Sequence, residues 1–359
     1  MKDRIISIDL FRGLVMLLLV GESTELYHFF RESEMGFIHY LGTRLDHHEW
    51  HGLYFWDLIQ PFFMFVAGVS IPFAVESRRQ KGESDSLILK HAIRRAIILL
   101  LLGWGLYVIG SGRLVWRFQN VLAQLSITYL GSFLIKDLKL IYQGIISVFI
   151  LVLYEIIYRN FSMEGYNQPW ELYHNFGAWF NNWIEGEINS TEWASFNFLS
   201  TSAHTIWGMM VGYILMKESE SMLKIKSLLI GGIICLLLGY GLDISGTTPI
   251  IKKIATTSFV FVSGGYSILT MLIFYYLFDI KKYPFELGNW FLYYSKNSLL
   301  IYLFFHLGGS HWIFKNLKVF PQIILGNSIN VGMITSILTW VVLSVLCKFL
   351  DKKKIYLKI

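Results

Sequence analysis

Long apolar runs alternate with short charged connectors throughout this chain. The runs fall at about 5–20, 56–76, 93–110, 119–135, 140–158, 199–216, 227–243, 255–278, 290–308 and 328–348. Each approaches the roughly 20 apolar residues that carry a helix across a bilayer. The pattern predicts an all-α polytopic membrane protein with about ten transmembrane helices, built as a single domain over 1–359. Asp9 and Arg12 interrupt the first run, and no small-residue cleavage pattern follows it, so it reads as a retained span rather than a signal peptide.

The connectors then set the topology. Of the 31 Lys and Arg residues, 20 fall in tails and loops on the side of the termini, from Lys2 and Arg4 through Arg94 and Arg95 to Lys358. Nine fall in the opposite loops, and Arg12 and Lys296 lie within runs. The positive-inside rule therefore puts both termini in the cytoplasm. Two segments stand out on the other side: a His-rich outer loop at 23–55 and a large aromatic outer loop at 159–198. The second carries Trp170, Tyr173, Trp179, Trp183 and Trp193, and reads either as an interfacial aromatic belt or as a platform for stacking sugar rings.

Composition agrees with a membrane chain. It is 54% hydrophobic and 16% charged, against roughly a quarter charged in soluble domains. Cys235 and Cys347 both lie inside apolar runs, so no disulfide framework is expected. The net charge of +6 comes from residues flanking the spans and does not suggest nucleic acid.

Candidate chemistry gathers in His47–Ser70, HHEWHGLYFWDLIQPFFMFVAGVS. Three imidazoles stand next to an apolar run that opens with the lone carboxylate Asp57, and ionisable groups at the edge of hydrocarbon usually mark chemistry or a pathway. His47 and His51 have the i, i+4 spacing of a helical zinc pair. Gly52 and the loop context work against a helix, so no metal is expected. Polar stripes recur at helical spacing in the fourth run (Asn120, Gln124, Thr128), the sixth (Ser200, His204), the eighth (Ser263, Ser267, Thr270) and the ninth (Ser298, Tyr302, His306). They suggest a hydrated interior, with interhelical hydrogen bonding as the plainer account. Asp9 and Arg12, three residues apart, are explained as well by mutual neutralisation as by a ligand role.

Four stretches in this order carry a resemblance: RIISIDLFRGLVMLLL, the His47–Ser70 segment, RFQNVLAQLSITYL and KNSLLIYLFFHL. Together they resemble the heparan-α-glucosaminide N-acetyltransferase-like transmembrane acyltransferases and their bacterial DUF5009 group. The resemblance implies an enzyme of the bacterial cytoplasmic membrane that takes acetyl-CoA from the cytoplasm and acetylates an amino sugar or related glycan at the outer side. A homodimer is compatible with it. It also implies that His47, three residues before Trp50, and His306 are catalytic. Two departures bear on donor and acceptor. Gly21-Glu22-Ser23 stands where the animal enzyme has an asparagine, and Ala123-Gln124 where the family has Gln-Arg.

The residues fit acyl transfer to an amine. Imidazole can act as base or acyl carrier near neutral pH. Asp57 or Glu22 could orient it. Tyr302, Gln124 or Asn120 could donate to a thioester oxyanion. Arg94 and Arg95, with Arg12, are candidates for the CoA phosphates, although as positive-inside anchors Arg94 and Arg95 need no ligand. A secondary transporter with an intramembrane polar pathway is the alternative, though no internal duplication is evident.

Overall fold

The structure is a computed structural model that describes residues 5–185, 192–284, 288–326 and 329–357. Residues 186–191 of the 159–198 segment, and Lys2, Arg4 and Lys358 of the charge pattern, lie outside the described residues. In chain order the helices are α1 (Ile6–Ser23), α2 (Leu26–Arg31), α3 (Gly36–Arg44), α4 (Ile59–Arg79), α5 (Asp85–Ser111), α6 (Val121–Leu134), α7 (Leu140–Asn160) and α8 (Phe176–Glu185). They continue as α9 (Phe198–Met216), α10 (Ser221–Ile244), α11 (Thr257–Phe274), α12 (Gly288–Lys296), α13 (Ser298–His306), α14 (Gly309–Leu317), α15 (Val319–Leu325) and α16 (Ile329–Lys352). A 3₁₀ turn, Phe55–Leu58, leads into α4, and a π-helical turn, Tyr275–Ile280, ends α11. There is no strand among the described residues, so the fold is all-helical.

Helix lies on every one of the ten apolar runs, but only six helices among the described residues are long and apolar enough to cross a membrane. These are α4 with its 3₁₀ lead-in, α5, α7, α10, α11 with its π turn, and α16. The exceptions have plain causes. α1 carries Asp9, Arg12 and Glu22, α6 has only 14 residues, and α9 is rich in Ser, Thr and His. The ninth run, expected as one helix, is two nine-residue helices broken at the buried Asn297, whose φ of −112° and ψ of 18° leave the helical region.

The chain packs as two compact units, 1–47 with 54–59 and 273–359, and 48–53 with 60–272. In the first, α1 packs on α12 and α13, α16 packs on α12 and α14, and α2 packs on α3. Residue Ile5 precedes α1 and supplies no side-chain cap. The carboxylate of Asp279 does so instead, accepting from the Ile6 and Ser7 amides at 2.9 and 3.1 Å.

In the second unit, α4 and α11 are mostly buried while α5, α7 and α10 present most of their apolar surface outward. The polar stripes bond to one another. Gln60 Nε2 and Thr201 Oγ1 both donate to Gln124 Oε1, at 2.7 and 3.3 Å. Thr205 Oγ1 donates to Thr128 Oγ1 at 3.1 Å, and His204 Nε2 lies 2.8 Å from Ser263 Oγ. All of these but the half-buried Gln60 are fully buried, so the stripes join α4, α6, α9 and α11 rather than line an open cavity. The aromatic segment packs likewise. Trp170 stacks on Tyr158, Phe176 meets the same ring edge-on and Trp179 lies tilted against Phe161, while Trp183 is 67% exposed.

Close helix contact depends on missing side chains. A Cβ on Gly68 would lie 2.1 Å from the Thr205 carbonyl oxygen, and one on Gly208 would lie 2.1 Å from that of Phe65. Small residues at facing positions let backbones approach in this way. Gly208→Val should therefore lower stability in detergent by more than about 2 kcal/mol. Gly144→Ala, where the nearest atom would be Met210 Cε at 3.6 Å, should be neutral or slightly stabilising. Thermal unfolding of the two purified variants checks both.

Candidate functional site

Around the end of α1 the chain reverses twice. Ser23 Oγ and Thr24 Oγ1 donate back to Val20 and Gly21 carbonyls at 2.8 and 2.9 Å, and Glu25 takes a left-handed φ of 61° to start α2. Tyr27 then folds against α1 and donates its hydroxyl to the Leu18 carbonyl at 2.9 Å. Gly21 makes room, since a Cβ there would sit 2.4 Å from that hydroxyl. Burial and the neighbouring Glu22 charge both push the Tyr27 phenol above its ordinary pKa, so this wall of the site is a neutral hydroxyl.

Between the α1 end and the segment after α3 lies a cleft of about 170 Å³, lined by Glu22, Glu25, Tyr27, His28, Arg31 and Asp46 among others. Arg31 forms an ion pair with Asp46, and its other terminal nitrogen lies 3.2 Å from His28 Nδ1. The remaining oxygen of Asp46 accepts from the His47 amide at 2.7 Å. That bond sets the direction in which His47 leaves the cleft wall.

His47 meets Asp57 ten residues on. Its Nδ1 lies 3.0 Å from Asp57 Oδ1, and Asp57 Oδ2 accepts from the Tyr54 amide at 2.8 Å. The carboxylate is 1% exposed while the imidazole is 36% exposed. A buried carboxylate on Nδ1 fixes the tautomer with the proton on that atom, so chemistry at this histidine would run through Nε2. Trp56 joins the pair to the cleft, with its ring 6.4 Å from that of His47 and 5.2 Å from that of Tyr27. Glu22 lies on the same cleft, exposed at the end of α1.

The other histidines of the segment go elsewhere. The stretch from Asp46 to Tyr54 is not helical, so the i, i+4 spacing of His47 and His51 does not bring them to one face. No group of three metal-ligating side chains is present among the described residues. His51 Nε2 instead lies 2.7 Å from Asp243 Oδ1, an oxygen that also accepts from the Ile250 amide at 2.9 Å. The Gly52 amide donates to the Ile250 carbonyl at 2.9 Å, and Trp50 Nε1 to the Trp170 carbonyl at 2.8 Å. His51–Asp243 is a loop anchor. Asp243 was legible by the same sign as Asp57, a carboxylate at the edge of an apolar run.

The remaining expected site residues divide between the two units. Arg12 pairs with Asp9 at 3.3 Å, the neutralisation already weighed from their spacing. Tyr302 is buried, with its ring 4.2 Å from that of His306, which is exposed at the end of α13. In the second unit, Asn120 caps α6, accepting from the Ala123 amide and donating to the Gly103 carbonyl, both at 2.9 Å. Gln124 sits in the interhelical network. Both amides take part in contacts that hold helices together. Arg94 is exposed. Arg95 lays its guanidinium 4.7 Å over the Tyr129 ring, and its buried Nε has no hydrogen-bond partner.

Fold and site together define an all-helical protein with membrane-length apolar helices and a histidine–carboxylate pair beside a small polar cleft. Over 137 residues, 35% of the chain, it is 29% identical to heparan-alpha-glucosaminide N-acetyltransferase of Mus musculus. Over 152 residues, 40% of the chain, it is 28% identical to the protein of that name from Homo sapiens. These matches span 18% and 20% of the two relatives' own length. No family model matches the chain.

The two hydrogen bonds of Asp57 predict a stability effect separable from chemistry. Asp57→Ala should cost about 1–3 kcal/mol by leaving the Tyr54 amide unsatisfied. Asp57→Asn, whose amide oxygen can still accept that bond, should cost less. Thermal unfolding of both variants in the same detergent measures the difference.

Proposed function

We propose that this protein is a membrane-embedded acyltransferase that moves an acetyl group from a CoA thioester to the amine of an amino sugar or related glycan. The His47–Asp57 pair carries the reading, and the partial likeness to two acetyltransferases supplies the reaction class. In this scheme the amine nitrogen attacks the thioester carbonyl carbon and the carbon–sulfur bond breaks. The amine proton passes to His47 Nε2 and then to the departing thiolate, giving an amide and free CoA. Asp57 holds the Nδ1 proton and offsets the positive charge of the imidazolium between those two transfers. His306, next to Tyr302, is the second candidate for a proton-handling role.

For the donor, Arg94 and Arg95 are the proposed phosphate contacts. The unpartnered buried Nε–H of Arg95 suits a phosphate oxygen, which guanidinium groups bind strongly. The proposed topology has about ten spans with both termini in the cytoplasm, so that CoA enters from that side and the 23–55 and 159–198 segments face outward. In a background with Cys235 and Cys347 replaced by Ser, Met163→Cys should label with a membrane-impermeant thiol reagent in intact cells, and Ser219→Cys should not. Equal labelling would discard this arrangement.

The activity test is acetyl transfer by purified protein from labelled acetyl-CoA to a panel of amino sugars. His47→Ala should lower turnover by about 10²–10⁴-fold while leaving acetyl-CoA binding near wild type. Asp57→Asn should fall between the two, since an amide keeps the geometry and loses the charge. His51→Ala and His48→Ala should be mild. A His47→Ala enzyme with normal turnover beside an inactive His51→Ala would transfer the role to the other imidazole.

A further inference from the structure

We infer that α14 and α15 lie in the membrane–water interface and bind anionic phospholipid there. Lys315 and Lys318 meet the headgroup phosphate, and the exposed apolar side chains beside them enter the upper acyl layer. The inference rests on the membrane-length helices of the fold and not on the acyltransferase reading.

The two helices belong to one unit, and each has a packed side and an exposed one. On α14, Ser310 and Phe314 are buried and Ile313 and Leu317 half-buried, a set at i, i+3, i+4 and i+7 that forms one stripe. Phe314 stacks on the Phe29 ring at 6.1 Å, and α14 and α15 both pack on α16. The opposite face of α14 carries Trp312 and Lys315, both exposed, and the exposed Lys318 follows at the junction with α15. On α15 only Pro321 is buried, while Phe320, Ile323 and Ile324 are 63%, 77% and 81% exposed. At nine and seven residues neither helix can cross a bilayer, and an apolar patch of this kind is not stable in water. Position resolves the conflict. α15 ends at Leu325 and α16 begins at Ile329, and the start of a membrane-length helix marks an edge of the hydrocarbon.

Charge decides what covers this surface. No Asp or Glu occurs between Glu286 and Asp351, and among the described residues no carboxylate pairs with Lys315 or Lys318. Both ammonium groups are left for an external anion. A second copy of the same surface would set lysine against lysine, and protein interfaces in general are poor in lysine. A phospholipid supplies both halves of the match. The Trp312 ring suits the headgroup level, lysine stems run along apolar surface to reach phosphate, and the α15 side chains suit the acyl boundary. Zwitterionic lipid offers the same chains without net charge, so the two lysines make anionic lipid the preferred partner.

The test uses the full-length protein in lipid nanodiscs, with Cys235→Ser and Cys347→Ser as background and a bimane label on Ile324→Cys or Asn316→Cys. The label at position 324 should be quenched by phospholipid with a doxyl group on its acyl chain, and shielded from acrylamide in the water. At position 316, beside the lysines, trace doxyl-labelled phosphatidylglycerol should quench at least about fivefold more per mole than doxyl-labelled phosphatidylcholine, the effect of about 1 kcal/mol from one lysine at the surface. Lys315→Gln combined with Lys318→Gln should bring that ratio close to one. High salt should do the same with both lysines present, a readout that survives even if the double variant fails to fold. A label at 324 open to acrylamide would put α15 in water and overturn the inference. Protection from both quenchers would put a second copy or another protein over this face, with the same result. Equal quenching by the two lipids, or a preference untouched by salt and by the double variant, would remove the lysines from the interaction and also overturn it.

Discussion

The carboxylate of Asp57 is the contact on which the connection from α3 to α4 depends. A buried carboxylate is costly unless every oxygen finds a partner. Here one oxygen takes the Tyr54 amide and the other faces the His47 imidazole. The first bond closes the 3₁₀ turn that starts α4. The second ties the far end of the connecting loop to the same point. Arg44 lies over the Tyr54 ring at 4.7 Å, so the end of α3 converges on this turn as well. Three segments are thus oriented by a single side chain, with the imidazole of His47 36% exposed beside it.

The helices were legible because apolar length is a coarse signal that survives almost any tertiary context. Their interruptions were not. Asn297 stands in a short polar patch, Ser295–Ser298, inside the ninth run, and spacing alone does not tell a polar stripe on one helix from the place where α12 ends and α13 begins. Helices α2, α3, α14 and α15 were invisible for the opposite reason. They are six to nine residues long, too short for a periodic pattern, and lie in segments that read as loop. For the polar stripes two accounts stood open, a hydrated interior and interhelical hydrogen bonding, and the second unit shows the latter. Helical spacing places Gln124, Thr128, His204 and Ser263 on common faces, and only the packing shows that those faces meet one another.

Site chemistry followed the same division. His47 and Asp57 were recognisable as residue types, and their pairing depends on a turn only ten residues long. The partner of His51 lies 192 residues away, which no local pattern encodes. Tyr27, Trp56 and Asp46 escaped notice because each looks ordinary in sequence. Their contribution is to shape a wall, and a wall exists only after α1 and α2 have folded back on one another. The candidates for donor and oxyanion contacts on the other unit differ: Asn120 and Gln124 have polar groups engaged in capping and interhelical bonds, whereas the buried Nε of Arg95 has no hydrogen-bond partner.

The outward face of α10 has a consequence for how such a sequence can vary. Of its 24 residues only Leu228, Gly232 and Gly239 are buried, and the two glycines face Leu269 and Val262 of α11 at distances that leave no space for a methyl group. Hydrocarbon solvates leucine, isoleucine and valine almost alike, so most of the helix imposes only a requirement for grease. The specification of α10 therefore reduces to three positions spaced four and seven residues apart. In an evolutionary record, this helix would drift freely in letters while holding its place through two missing side chains.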